Sequence, residues 1–157
     1  MYIIDANNLA GKLNILKEKN FDSRLIGMLM HYFLNKKIDI VLVFDGRDVM
    51  GDKEKKGYFT IIYTPKDTRY NGEADRKIFE LVEANKEKKQ LRVVTGDLEL
   101  SQSIKKISST VEIINASSFA EKILKALEIK NDFNDDGEEL SRNEQDEITK
   151  ELMGLWG

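Results

Sequence analysis

The sequence predicts one α/β domain on a mainly parallel, five-stranded sheet, followed by a helical tail. Three observations carry this reading. Short apolar runs alternate with segments of helical period, the pattern of strand–helix–strand units. The run Ile38–Phe44 is apolar almost throughout and rich in β-branched residues, as expected of a strand covered on both faces. Three runs also stop at an acid beside turn-forming residues: Asp5 before Ala6-Asn7-Asn8, Asp45 before Gly46, and Asp97 after Gly96.

Taken in order, Tyr2–Ile4 begins the first strand, and Leu9–Lys19 reads as a loop or short helix. Asp22 or Ser23 is placed to cap a helix running to about Lys36, with Leu25, Ile26, Leu29, Met30 and Phe33 as its core stripe. Ile38–Phe44 is the second strand, and residues 46–57 read as a polar, glycine-bounded loop. Tyr58–Thr64 is the third strand, stopped by Pro65, the chain's single proline. A charged loop, Lys66–Asn71, leads to a helix from about Gly72 to Lys89 with Ile78, Phe79, Leu81 and Val82 inward. Leu91–Thr95 is the fourth strand, Leu98–Ile107 a helix, and Val111–Ile114 the fifth strand. Ser118 with Glu121 fits a capping box for a helix to about Ile129.

Past Lys130 the composition changes. Residues 1–130 form the expected domain, residues 131–140 an acidic linker, and residues 141–157 a C-terminal helix. That last segment is too short to be stable alone. It is expected to dock on the body through Ile148, Leu152 and Trp156, with partner binding as the alternative.

The chain of 157 residues is long enough to bury about 70% of its unfolded surface. It has no cysteine, which excludes disulfides and thiolate zinc sites. With no signal-like segment and no apolar stretch of membrane-spanning length, a soluble cytoplasmic protein without membrane contact is expected. The net charge of −3 is unevenly spread. Residues 1–130 carry 23 basic against 19 acidic side chains, and residues 131–157 carry 2 against 9. The body is therefore mildly basic, which is compatible with a phosphate-rich ligand.

In a parallel sheet the strand C-termini share one edge, where ligands bind. Asp5, Asp45 and Asp97 would gather there, and Asp75, in the helix opened by Gly72-Glu73-Ala74-Asp75, is able to join them. Each acid has an ordinary structural role open to it: Asp5 and Asp45 as turn anchors, Asp97 as a helix cap, Glu73 and Asp75 as complements to a helix dipole. Their recurrence at one end of successive strands favours a shared site instead. Clustered carboxylates need a compensating cation, and oxygen donors select Mg²⁺ or Mn²⁺. Phosphodiester hydrolysis by a metal-activated water is the natural reaction class. No phosphate-cradling loop motif is present, so no nucleotide cofactor is expected. The single histidine, His31, sits mid-helix and reads as a packing or surface residue, not an acid–base catalyst.

The ordered set Ile3-Ile4-Asp5-Ala6-Asn7-Asn8, Val43-Phe44-Asp45-Gly46, Glu73-Ala74-Asp75 and Val93-Val94-Thr95-Gly96-Asp97 resembles the NYN domain, a branch of the PIN-like nuclease superfamily, with the YacP-like bacterial subgroup nearest. The segment Leu140–Ile148 also looks like that subgroup's C-terminal part. The resemblance implies a Rossmann-like, three-layer fold with strand order 3-2-1-4-5 and a metal-dependent endoribonuclease. It implies that Asp5, Asp75 and Asp97 bind metal, that Asp45 adds a catalytic acid, and that Asn8, Glu73 and Thr95 support them. RNA is the implied substrate and the ribosome a candidate partner. The first motif departs from the family's Asp-Gly-Tyr-Asn, and Gly46 stands where alanine is common. Both departures bear on loop shape more than on the acids.

For substrate contact the loops beside the acidic edge supply Arg47, Lys53, Lys55, Lys56, Lys66 and Arg69 as cations for phosphates, with Tyr58 and Tyr70 nearby as rings for an unpaired base. Arg47 and Arg69 lie nearest the acids in sequence. Two other readings stay open: a non-catalytic RNA- or ribosome-binding module, and a magnesium-dependent phosphatase or phospho-receiver. The latter usually carries Asp-x-Asp after its first strand, and Asp5-Ala6-Asn7 lacks the second acid.

Overall fold

The computed structural model describes residues 1–46, 51–65 and 73–134. The central strand β1 (Tyr2–Asp5) pairs in parallel with β2 (Ile40–Phe44) on one side and β5 (Arg92–Thr95) on the other. β4 (Phe59–Tyr63) lies parallel outside β2, and β6 (Glu112–Asn115) parallel outside β5. This is the expected 3-2-1-4-5 order.

The strand count differs from expectation. Asp52–Lys56, read as part of a loop, is a strand (β3) antiparallel to β4, giving a six-stranded sheet in the order β3-β4-β2-β1-β5-β6. Its Asp-Lys-Glu-Lys-Lys sequence carries no apolar signal because the strand sits at an edge with most of its side chains in solvent. Its pairing instead follows from the turn. Gly57 adopts φ +59 at the first of two residues linking β3 to β4, a position suited to glycine in tight hairpins. Charged side chains on such an edge also discourage another strand from adding to it.

Side chains alternate across the sheet. Ile4, Leu42, Phe44, Ile61 and Val94 pack beneath α1 (Ala6–Lys12), α2 (Phe21–Tyr32) and α5 (Ala116–Asn134). Ile3, Val41, Val43, Ile62 and Val93 pack beneath α3 (Glu73–Asn85) and α4 (Leu98–Ile107). Both faces are thus covered, which explains why the central strands read as unbroken apolar runs. On α3, Ile78 and Val82 are fully buried, with Phe79 and Leu81 packed at the margin.

Several helix boundaries differ from expectation. α1 begins directly at the end of β1. α2 starts at Phe21 with no side-chain cap, and Asp22 accepts a hydrogen bond from the Tyr63 hydroxyl at 3.0 Å. α2 stops at Tyr32, and three residues later Asn35 takes φ 66, a left-handed conformation that ends the helical path. α5 begins at Ala116, where the Asn115 side chain accepts from the Ser117 amide at 2.8 Å. The expected Ser118–Glu121 capping box is therefore absent, both residues lying inside the helix. Beyond Asn134, the rest of the linker and the 141–157 helix lie outside the described residues. No helix among the described residues is long and apolar enough to cross a membrane.

The hairpin depends on two glycines in different surroundings. A Cβ on Gly51 (φ +70) would lie 2.8 Å from the Tyr63 carbonyl oxygen, whereas one on Gly57 would meet nothing within 4 Å. Gly51→Ala is expected to cost about 2–3 kcal/mol and Gly57→Ala about 1 kcal/mol. Urea unfolding of the two variants checks this order.

Candidate active site at the carboxyl edge of the sheet

β1 is the switch point of the sheet, and its last residue is Asp5, 5% exposed. The Asp5 carboxylate accepts the Asn8 amide at 3.5 Å and the Thr95 hydroxyl at 3.2 Å. Burial nevertheless outweighs both bonds, and the nearby charges of Asp45 and Asp97 add to it, so its pKa is pushed up to about 6.

Asp97 follows β5 and is the N-cap of α4, accepting the Leu100 amide at 3.0 Å. That bond holds its carboxyl below the usual range. The Asp97 amide in turn donates to the Thr95 hydroxyl oxygen at 3.1 Å, so Thr95 links the two acids. Asp75 stands in the first turn of α3. Burial, a hydrogen bond shared with Asp97 and the charges of Asp97, Asp5 and Asp45 raise its pKa to about 7. Burial and the neighbouring acids thus raise Asp75, while the helix-end amide keeps Asp97 low. Asp45 follows β2 and is exposed.

The structure therefore brings together Asp5, Asp45, Asp75, Asp97, Asn8 and Thr95. Glu73 is engaged differently, in an ion pair with Arg76 at 3.8 Å on the same helix. Arg47, Lys66, Arg69 and Tyr70 lie outside the described residues. Ala74 is buried in the core under α3, and Gly96 makes room for Asn8, whose Oδ1 would lie 2.7 Å from an added Cβ.

Asn7, read from sequence only as a turn residue, has a larger part. Its Oδ1 accepts the Asp45 amide at 2.9 Å, while Oδ1 of Asn8 accepts the Gly96 amide at 3.0 Å. The adjacent pair of asparagines after a strand-terminal aspartate was the available signal, because short amides readily satisfy free backbone groups.

The acids supply oxygen donors only, the chemistry of a hard divalent cation. Among the described residues, no group of three or more acidic, histidine or cysteine side chains is arranged to hold a metal ion. A cleft of about 250 Å³ adjoins the acids and includes Asn7, Asp45 and Gly46. A larger one of about 810 Å³ lies at the opposite end of the strands, between the end of α2 and the β3–β4 turn, and shares no residue with the acidic edge.

The family model for the YacP-like NYN domain matches residues 2–156. The chain belongs to this family. NYN domains are nuclease-like. Crystal structures of Rae1 (YacP) from Bacillus subtilis are similar to this YacP-like NYN domain across 99% of its length and 91% of theirs, with a TM-score of 0.58 and 19% identity. The W164L mutant of that protein gives the same coverage and TM-score at 18% identity. No curated protein matches the chain.

The raised acids of this NYN domain make its stability depend on pH. A carboxyl that holds its proton more tightly when folded stabilises the protein below its unfolded pKa and loses that contribution as pH rises through its folded value. For Asp5 and Asp75 the loss runs from about pH 4 to about pH 7. Asp97, with its pKa depressed, acts oppositely and only in more acid solution. In metal-free buffer Asp75→Asn is expected to flatten the decline in melting temperature between about pH 5 and 8. It should also raise the midpoint at the upper end by about 2–4 °C. Thermal melts of both proteins across pH test this.

Proposed function

We propose that this YacP-like NYN domain is a divalent-metal-dependent endoribonuclease. The observation that carries the reading is the crowding of Asp5, Asp75 and Asp97 at the switch-point rim, where burial and the neighbouring acids push the carboxyls of Asp5 and Asp75 above the usual range. Carboxylates crowded at one half-buried rim repel one another, and a divalent cation shared by their oxygens relieves that repulsion. Their donor chemistry fits Mg²⁺ or Mn²⁺, and Mg²⁺ commonly binds through only one or two carboxylates while keeping several waters. A preformed cage of three protein ligands is therefore not required.

In this proposal Asp5, Asp75 and Asp97 hold the ion. When bound, it neutralises the phosphate and acidifies a coordinated water. Thr95 and Asn8 fix the orientation of Asp5 by donating to its carboxylate. Asp45, on the exposed side, extends the site toward substrate. Arg47, Lys66 and Arg69 are assigned to the RNA phosphates and Tyr70 to an unpaired base. The reaction is water attack on phosphorus with departure of a ribose oxygen. Histidine acid–base chemistry through the 2′-hydroxyl is disfavoured, because His31, the chain's only histidine, belongs to α2. The cytoplasm is the proposed location and ribosome-associated RNA a proposed target.

A second reading, a non-catalytic RNA- or ribosome-binding module, is favoured by one observation: among the described residues, no three-ligand set stands ready for a metal. The two readings separate in one assay. With Mg²⁺ or Mn²⁺ the wild type is expected to cleave RNA and Asp97→Asn to lose at least about a hundredfold in rate. Mn²⁺ is also expected to raise the melting temperature of the wild type but not of Asp5→Asn. Equal cleavage by wild type and Asp97→Asn would refute the nuclease assignment, and metal-independent RNA binding without cleavage would support the binding module.

A further inference from the structure

The cleft beside the acids has a lining of its own, built from the α1–α2 connection, the first turn of α2 and the ends of β2 and β4. Phe44 and Tyr63 stack with centroids 5.1 Å apart and planes 16° apart, and Phe21 tilts against Phe44 at 5.9 Å. Phe21 is half-buried at the cleft, and the Phe44–Tyr63 stack is buried behind it. Asp22, held by the Tyr63 hydroxyl at 3.0 Å, and the exposed Lys19 and Asn20 complete this side. The opposite wall is Asn7, Asp45 and Gly46, and Asn7 is bonded to the Asp45 amide. The cleft is thus continuous with the acidic rim.

Its chemistry selects what can enter. Two carboxylates, Asp22 and Asp45, against one lysine repel phosphate oxygens, yet they accept hydrogen bonds from N–H groups. The partly open Phe21 ring, backed by the buried Phe44–Tyr63 stack, suits a flat ring. At about 250 Å³ the cleft falls below the roughly 300–1,000 Å³ that holds drug-sized ligands, a scale suited to one ring system and not to a longer segment. We propose that it is a nucleobase subsite that takes one unpaired base of single-stranded RNA next to the phosphate at the acidic rim. Asp22 favours bases that present an exocyclic amino group, adenine, cytosine or guanine, over uracil, whose single N3–H donor is flanked by two carbonyl oxygens that a carboxylate repels. This inference rests on the reading of the acidic rim as an RNA-cleaving site, and it adds which part of the substrate the neighbouring surface recognises.

The test uses the full chain in EDTA with fluorescently labelled short oligoadenylate, oligocytidylate and oligouridylate, read by anisotropy. The wild type is expected to bind the first two about tenfold more tightly than oligouridylate. Phe21→Leu, which keeps apolar packing but removes the ring, should weaken oligoadenylate binding about tenfold. Asp22→Asn, close in shape and not among the acids proposed to hold metal, should flatten the base preference, and it keeps the test decisive should Phe21→Leu lose its fold. Equal affinity of the wild type for all three probes, or wild-type behaviour of both variants, overturns the subsite. A base preference that both variants weaken, in a protein that does not cleave RNA with Mn²⁺, supports the subsite and sinks the nuclease reading. Cleavage without base preference does the reverse.

Discussion

Where a parallel sheet ends, backbone amides at the tips of neighbouring strands lose their ladder partners and must find others. In this protein two consecutive side chains supply them. Asn7 takes the amide of Asp45 beyond β2, and Asn8 takes the amide of Gly96 beyond β5. Because both asparagines follow β1, a single turn ties together the three central strands at one rim. The positions of Asp5, Asp45 and Asp97 all depend on this cross-bracing. Residues 88 positions apart are joined by the Asn8–Gly96 contact, and only a residue without a side chain leaves room for it.

The two aspartates that cap helices show how environment sets chemistry. Asp5 caps α1 and Asp97 caps α4, so both receive backbone amides at a positive helix end. Their proton affinities move apart nonetheless. Asp5 is walled in by the core, and desolvation outweighs its hydrogen bonds. Asp97 is more open, and the Leu100 amide prevails. The structural role and the proposed chemical role are therefore not rivals: capping places each carboxylate at the rim, and burial decides how strongly it seeks a positive partner.

The fold was legible where the chemistry was local. Leu98–Ile107 follows an aspartate that caps it, and the structure has the helix at those residues. The unbroken apolar run before Asp45 announced a strand covered on both faces. β3 was illegible because an edge strand in solvent needs no apolar residue, and only Gly57 hinted at the turn. The start of α5 was misplaced because Asn115, still in its strand, does the capping that Ser118 and Glu121 suggested. At the site, the aspartates could be read from their positions at strand ends. The cross-bracing by Asn7 was not readable, since nothing local in the sequence marks which distant amide an asparagine meets. The same holds for Asp22, whose link to Tyr63 spans 41 residues.

The sheet's two margins are unlike. β3 closes one with alternating charges, whereas β6, at the other, places Ile113 and Ile114 half-buried between Glu112 and Asn115. Unpaired strand groups are therefore presented to the surroundings through chemically different borders, one electrostatically defended and the other partly apolar. Any sheet-to-sheet association open to this molecule is directional: it is least hindered on the β6 side, the border farther from the Phe21–Tyr63 cleft.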